Sequence, residues 1–115
     1  MTRLSQLTTM RVGGEPASLT RATSRQQIID ACLQLWNSGD DWLLLGGGSN
    51  LVIADEVPDL HVIQVANLGV EYTPVSGTNQ VLVRAQAGEN WDDFVAHTVA
   101  AGLSGIEAMS GIPGT

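Results

Sequence analysis

The chain has 115 residues, with 12 acidic residues against 5 arginines and no lysine, which gives a net charge of −7. This acidic balance argues against nucleic-acid and anionic-membrane binders, because both need a basic patch. The lack of lysine excludes P-loop nucleotide binding, Schiff-base chemistry and Ser–Lys catalysis. A single cysteine excludes an internal disulfide and favours a cytoplasmic location. No apolar run is long enough for a membrane span, and the length suits one domain.

The first half of the chain predicts a parallel α/β arrangement. Residues 17–22 alternate between apolar and polar and predict a short strand. A capping-box pattern then precedes a helix over 24–38, whose apolar residues recur at helical spacing. The apolar run 42–45 predicts a buried strand, so the order strand, helix, strand indicates a right-handed βαβ crossover. A further strand is predicted over 61–65.

The second half predicts a hairpin and one more helix. Two runs, 70–74 and 80–87, flank a glycine-containing turn, which is typical of a β-hairpin. Asn90 predicts the cap of a helix that ends at Gly102. We interpret Asp92–Asp93 as first-turn charges that favour the helix dipole, and not as a catalytic pair. The order of elements therefore predicts a mixed α/β, or α+β, fold.

The sharpest chemical feature is the loop Gly46-Gly47-Gly48-Ser49-Asn50, directly after the predicted strand 42–45. Three consecutive glycines let the backbone approach a ligand closely, and successive amide N–H groups then line an anion-binding concavity. A diphosphate suits such neutral donors. The two familiar phosphate motifs do not fit, since one needs lysine and the other a glycine at Leu51. From these residues alone, diphosphate binding and a plain tight turn remain alternatives.

Two further glycine clusters are weaker signals. Arg11 precedes Gly13 and Gly14, where an arginine beside paired glycines suits a phosphate or a ring, and a solvated irregular loop is the alternative. The segment 105–115 carries three glycines and a proline, which is typical of an irregular loop that presses backbone amides against a ligand. A linker is the alternative there. The two histidines lie far apart in sequence with no ligand spacing, so we predict no metal site.

Taken together, the three clusters resemble one family. The blocks are Thr8–Gly14, Leu43–Leu51 and Gly105–Thr115, and their order and spacing are similar to those of the UDP-N-acetylenolpyruvoylglucosamine reductases, the MurB family. The resemblance runs over nearly the whole chain. Each block alone is unspecific, whereas the combination is specific.

The resemblance implies an FAD-binding fold of the vanillyl-alcohol-oxidase (PCMH) type, in which FAD lies between two α+β subdomains. Residues 1–115 would form a partial FAD-binding domain, with the first subdomain over about 17–66 and the start of the second over about 70–115. The substrate domain would be absent. The implied cofactor-binding residues are Arg11, Gly46, Gly47, Gly48, Ser49, Asn50, Leu51, Ser110, Gly111, Ile112, Pro113, Gly114 and Thr115.

The resemblance also implies a reaction. NADPH reduces FAD, and the reduced flavin reduces the enolpyruvyl group of UDP-N-acetylglucosamine enolpyruvate to give UDP-N-acetylmuramate for peptidoglycan synthesis. The family's catalytic serine, glutamate and arginine match no residue here, so we assign no catalytic residue. For the isolated chain we expect weak or no flavin binding, no turnover, and exposed apolar surface through which copies self-associate.

Two alternatives remain open. One is the FAD-binding portion of another flavoprotein of the same fold, such as an alcohol oxidase. Many of those attach flavin covalently through a histidine in or near the first loop, and Gly46–Asn50 contains none. The other is a non-enzymatic interaction domain, which would fold cooperatively without a cofactor.

Overall fold

A computed structural model describes all 115 residues. Two helices and five strands are joined by loops, with a short 3-10 turn near each end of the chain. The elements are β1 (Ser18–Ala22), α1 (Arg25–Ser38), β2 (Trp42–Leu45), β3 (His61–Val65), β4 (Val70–Pro74), β5 (Val81–Ala85) and α2 (Trp91–Ala100), with 3-10 turns at Leu4–Gln6 and Glu107–Met109. Every predicted helix and strand is confirmed, and neither helix is both long and apolar enough to cross a membrane.

Three strands form a parallel sheet in the order β1-β3-β2. Strands β1 and β2 lie in one sheet and run parallel, as the predicted crossover requires, but β3 is inserted between them. Leu19 and Leu43 both pair with Val62 of the central strand. The carboxyl ends of all three strands therefore meet at one edge of the sheet, which is where ligands bind in open α/β sheets.

Helix α1 covers one face of this sheet. The Oγ of Ser24 accepts a hydrogen bond from the Gln27 backbone N–H, and Gly39 ends the helix at φ 77°, a left-handed conformation that suits glycine. Cys32 packs with Ala22 and Ile63 in a small buried cluster. The cap and the C-terminal glycine confirm the predicted helix bounds.

The opposite face of the sheet is covered by the N-terminal segment. Leu4 is completely buried and packs with Leu45, Ile53 and Val62. The backbone N–H of Leu4 donates to the carbonyl of Gly14 at 2.9 Å. This packing was not predicted, because the first sixteen residues carry no helical or alternating period.

The remaining elements form a loosely packed part of the molecule. Strands β4 and β5 make an isolated antiparallel hairpin, and α2 buries only Val95 and Thr98. A cleft of about 700 Å³ separates the hairpin from α2. Val99 on α2 is half exposed.

Two burial predictions are wrong. Strand β2 is only half buried, because it is an edge strand that α1 does not cover: Leu45 is inaccessible, whereas Trp42 and Leu44 are 42% and 44% exposed. Helix α1 likewise buries a narrower stripe than its apolar residues predict. Ile29, Leu33 and Trp36 are exposed, and Trp36 stacks at a tilt on Trp42 with ring centroids 5.7 Å apart.

Candidate functional site

The candidate site begins where β2 ends, at the carboxyl edge of the parallel sheet. The backbone N–H groups of six consecutive residues, Gly46 to Leu51, donate no hydrogen bond within the chain. Backbone donors in folded proteins are nearly always paired with protein or solvent. A run of unpaired N–H groups beside a strand end is therefore a ready set of donors for an anion.

The loop is held by the N-terminal segment. Gly48 is buried at φ 67°, and a Cβ placed on it would lie 2.0 Å from the carbonyl oxygen of Leu7. The carbonyl of Gly48 in turn accepts a hydrogen bond from the Thr9 N–H at 2.9 Å. Only glycine fits this position, since both its backbone conformation and its close approach exclude a side chain.

Arg11 lies in the same supporting segment. It is the only non-glycine residue with positive φ, at 55°, a conformation that costs energy and is found preferentially at functional sites. Its side chain is exposed and forms no ion pair. Arg11 is thus a basic residue two positions from Thr9, which contacts the glycine loop, and its guanidinium forms no ion pair.

The last segment of the chain reaches the loop from the other side. A Cβ placed on Gly46 would lie 2.7 Å from the Oγ1 of Thr115, and one placed on Gly114 would lie 3.9 Å from the Oγ of Ser49. The two glycine-rich segments singled out in the sequence therefore face each other, with only the side chains of Ser49 and Thr115 close to the facing glycines. The space between them depends on glycine, since a Cβ on Gly46 would extend into it.

Not every proposed donor is available to a ligand. The Ser110 hydroxyl and the Gly111 N–H both donate to Asp92 Oδ1, at 2.6 Å and 2.9 Å. The side chain of Leu51 packs against the core cluster around Leu45, so only its backbone is offered. The free donors of the site are thus the N–H groups of the first loop together with those of Gly114 and Thr115, while Ile112 donates locally and Pro113 has no N–H.

What this arrangement offers chemically is a set of anion-binding donors. The donors are neutral amides and hydroxyls, which suit a diphosphate, and no cysteine or histidine lies in either glycine segment. The contact of Asp92 with the last segment was missed in the sequence. Its position after an N-cap asparagine is explained equally well by the helix dipole, and no local pattern reveals a partner eighteen residues away.

Comparison with known proteins identifies the fold. A family model described as "FAD binding domain" matches residues 16–115. The chain belongs to the FAD-binding domain family. The predicted fold class, a mixed α/β FAD-binding fold, is confirmed, and FAD is the cofactor of the family.

Curated relatives are reductases. The chain is 46% identical over 112 residues to the UDP-N-acetylenolpyruvoylglucosamine reductase of Leifsonia xyli subsp. xyli, covering 97% of the chain and 29% of the relative. It is 48% identical over 111 residues to the enzyme of the same name from Thermobifida fusca, covering 96% of the chain and 31% of the relative. The chain therefore spans less than a third of the length of these relatives.

A solved structure shares the architecture. The crystal structure of UDP-N-acetylenolpyruvylglucosamine reductase (MurB) from Thermus caldophilus matches with a TM-score of 0.64 and 26% sequence identity. The match covers 98% of this chain and 37% of that one. The resemblance to the MurB family inferred from the three sequence blocks is thus confirmed, for the N-terminal portion.

Proposed function

We propose that this chain is the FAD-binding portion of a UDP-N-acetylenolpyruvoylglucosamine reductase. In the whole protein, NADPH would be the reductant and the enolpyruvyl ether of UDP-N-acetylglucosamine the substrate, reduced for peptidoglycan synthesis in the cytoplasm. The names of the relatives support the reaction, and the family membership supports the cofactor. When bound, the flavin would supply hydride transfer.

The observation that carries the proposal is the run of unpaired N–H groups from Gly46 to Leu51. We infer that these donors hold the FAD diphosphate, with Gly114 and Thr115 closing over it from the opposite side. Ser49 and Asn50 would add side-chain donors, and Arg11 would compensate part of the phosphate charge. Ser110 to Pro113 would form the wall that carries the closing residues.

The cofactor site is tested by a titration read in two-dimensional amide NMR spectra of the chain, because we expect the affinity to be low. FAD should shift the amide signals of Gly46 to Leu51 and of Gly114 and Thr115. FMN, which lacks the second phosphate and the adenosine, should shift them far less. An FAD titration to millimolar concentration that moves none of these signals would contradict the proposed site.

A matched pair of variants sharpens this test. Gly47 is exposed, and a Cβ placed on it meets Thr115 Cγ2 only at an ordinary 3.5 Å. Gly47→Asp would place a carboxylate beside the diphosphate, whereas Gly47→Asn has the same shape without the charge. We expect FAD to bind the aspartate variant about tenfold more weakly than the asparagine variant, because like charges a few ångströms apart repel by about a kcal/mol or more. Equal affinities would mean that the phosphates lie elsewhere.

We propose no turnover for this chain by itself. No catalytic residue is assigned on this chain, so NADPH oxidation in the presence of FAD and the UDP-sugar should remain at the rate without protein. NADPH oxidation by the purified chain that saturates with the UDP-sugar and continues beyond one equivalent per protein would overturn this proposal.

We further propose that copies of the chain self-associate through one apolar patch. The patch consists of Ile29, Leu33 and Trp36 on α1 and Trp42 and Leu44 on β2, all between 38% and 53% exposed. A contiguous apolar patch of this kind typically marks an interaction surface.

Sedimentation equilibrium tests the patch. Leu33→Glu should make the chain monomeric at concentrations where the unmodified chain associates. Gln34→Glu is the control, because it adds the same charge to the next residue of α1, outside the patch. Association that survives Leu33→Glu would exclude this surface.

A further inference from the structure

The first turn of α2 holds the last segment of the chain. Asp92 Oδ1 accepts two hydrogen bonds, from the Ser110 hydroxyl and from the Gly111 N–H. Trp91 adds two more: its indole Nε1 donates to the Met109 carbonyl at 2.8 Å, and its backbone N–H donates to the Gly114 carbonyl at 3.4 Å. Two adjacent residues thus hold the chain between Met109 and Gly114 by four hydrogen bonds.

Trp91 and Asp92 make all the hydrogen bonds that tie residues 110–115 to the chain before Met109. Within residues 110–115, every hydrogen bond to a residue outside 109–115 is made with Trp91 or Asp92. The segment contains two glycines at positive φ, Gly111 and Gly114, and none of its six residues is buried. Packing therefore does not fix its conformation, and the polar contacts with α2 are what orders it.

The position of Asp92 matters because of where the segment leads. Beyond Gly111 the backbone turns toward the first glycine loop and brings Thr115 against Gly46. Asp92 itself makes no hydrogen bond to that loop.

We propose that Asp92, together with Trp91, is a positioning residue that holds Ser110–Thr115 closed against the Gly46–Ser49 loop and so preforms the second wall of the cofactor site. The last step of this inference rests on the proposed function. Hydrogen bonds to an ionised carboxylate are about twice as strong as neutral ones, and both of these bonds lower the pKa of Asp92, so the group is held as the carboxylate that the two donors require.

Asp93 is a natural control. It lies in the same first turn, carries the same charge and has the same favourable place near the helix N-terminus, yet its side chain makes no hydrogen bond to the last segment. A role in helix stability would be shared by both aspartates. A positioning role belongs to Asp92 alone.

The experiment measures ¹⁵N relaxation on the full 115-residue chain and three variants. In Asp92→Ala, we expect order parameters at Gly111 and Gly114 to fall from about 0.85 to below about 0.6, and the Trp91 indole signal to shift. Asp93→Ala should leave these values unchanged. Asp92→Asn keeps an acceptor oxygen at the same place and should restore most of the order.

The two aspartate-to-alanine variants should differ only slightly in melting temperature, because both aspartates are exposed, whereas the order at Gly111 should differ strongly between them. Unchanged order in Asp92→Ala, or equal loosening in Asp93→Ala, would overturn the inference.

A second arm concerns the cofactor. Added FAD should bind Asp92→Ala about tenfold more weakly than Asp93→Ala, with Asp92→Asn in between, because a mobile wall must be ordered on binding. Equal FAD affinities for the two alanine variants would overturn the positioning role even if the loop had loosened. If the unmodified chain gives no FAD shifts at all, the proposed function fails, while the relaxation data still decide whether Asp92 orders the segment.

Discussion

The N-terminal part of the molecule, residues 1–67, differs sharply from the C-terminal part, residues 68–115. Of the 15 buried residues, only Val95 and Thr98 lie in the C-terminal part. The N-terminal part has a parallel sheet covered on both faces, whereas the C-terminal part has a two-stranded hairpin and a helix with a cleft between them. Hydrophobic packing therefore fixes one wall of the candidate site, and hydrogen bonds from α2 fix the other.

The whole chain shows the consequence of this difference. Its radius of gyration is 17.0 Å, against about 13 Å for a compact chain of this length. Its accessible surface is 7640 Å², against about 6,000 Å² for a compact protein of this mass. The excess surface includes the apolar patch on α1 and β2 and the open cleft. The N-terminal part is thus a well-packed support for the first glycine loop, whereas the C-terminal part, which carries Ser110–Thr115, packs against very little.

Two glycines in the left-handed region give the largest expected contrast. Gly48 and Gly77 have φ of 67° and 74°, but a Cβ on Gly48 would overlap the Leu7 carbonyl, whereas Gly77 has no atom within 4 Å. Gly48→Ala should lower the free energy of unfolding by about 4 kcal/mol, from backbone strain and overlap together. Gly77→Ala should cost only about 1 kcal/mol, from strain alone.

Urea unfolding followed by tryptophan fluorescence measures both glycine variants. Similar losses of unfolding free energy in the two variants would show that the close approach of Gly48 to the N-terminal segment does not contribute to the cost of the substitution. The first loop would then not depend on that segment for its shape.

Two leucines provide the same comparison for side-chain packing. Leu45 in β2 is fully buried, and Leu82 in β5 is 57% exposed. Leu45→Ala should destabilise the chain by about 3 kcal/mol through lost burial and a cavity. Leu82→Ala should change its stability by about 0.5 kcal/mol or less, as is usual for surface positions. An effect of Leu82→Ala as large as that of Leu45→Ala would mean that the hairpin belongs to the cooperative core.

Much of the fold was predictable because its signals are local. Helix ends are marked by hydrogen bonds between residues only a few positions apart, as at the caps Ser24 and Asn90 and at the C-terminal Gly39. A local sequence pattern therefore predicts them directly. The two glycine-rich segments were likewise recognisable as candidate ligand loops. Their facing arrangement followed from the family resemblance and not from the local pattern.

What remained unpredicted depends on distant contacts. Leu4 is fully buried only because the N-terminal segment folds back under the sheet, and no period in the sequence encodes that path. The insertion of β3 between β1 and β2 depends on how a fifteen-residue connection closes. Asp92 was interpreted from its place on a helix, but its two hydrogen bonds reach eighteen and nineteen residues further along the chain.

Amide hydrogen exchange compares the two parts without any substitution. The amides of Val62 and Ile63 lie in the central strand of the sheet, whereas those of Thr73 and Leu82 lie in the isolated hairpin, in a pair whose N–H groups face the partner strand. A two-stranded hairpin is marginally stable by itself, so its hydrogen-bonded amides should exchange by local opening at least about a hundredfold faster than those of β3. Equal protection would show that both parts open only by global unfolding, so that the hairpin would be held as firmly as the parallel sheet.

The smallest expected effect is the pH dependence of the second wall. The hydrogen bonds from Ser110 and Gly111 lower the pKa of Asp92 below its ordinary value of 3.8. A carboxyl with a lowered pKa in the folded state stabilises it fully above that ordinary value, and the contribution is lost as the pH falls through the folded-state pKa. The Gly111 amide signal should therefore titrate with a midpoint below 3.8, and the order of the last segment should fall with it.

Two substitutions make the assignment of this titration specific. In Asp92→Asn the acidic step of the Gly111 signal should disappear, because the group that titrates is gone. Glu107, whose pKa is also lowered, by the Gly105 N–H, is the neighbouring source of an acidic step, and Glu107→Gln should leave the Gly111 titration in place. Both carboxyls are exposed, so the effect on global stability should be small. The opposite result is a Gly111 titration that persists in Asp92→Asn and disappears in Glu107→Gln. It would show that the 3-10 turn Glu107–Met109, and not α2, orders the last segment.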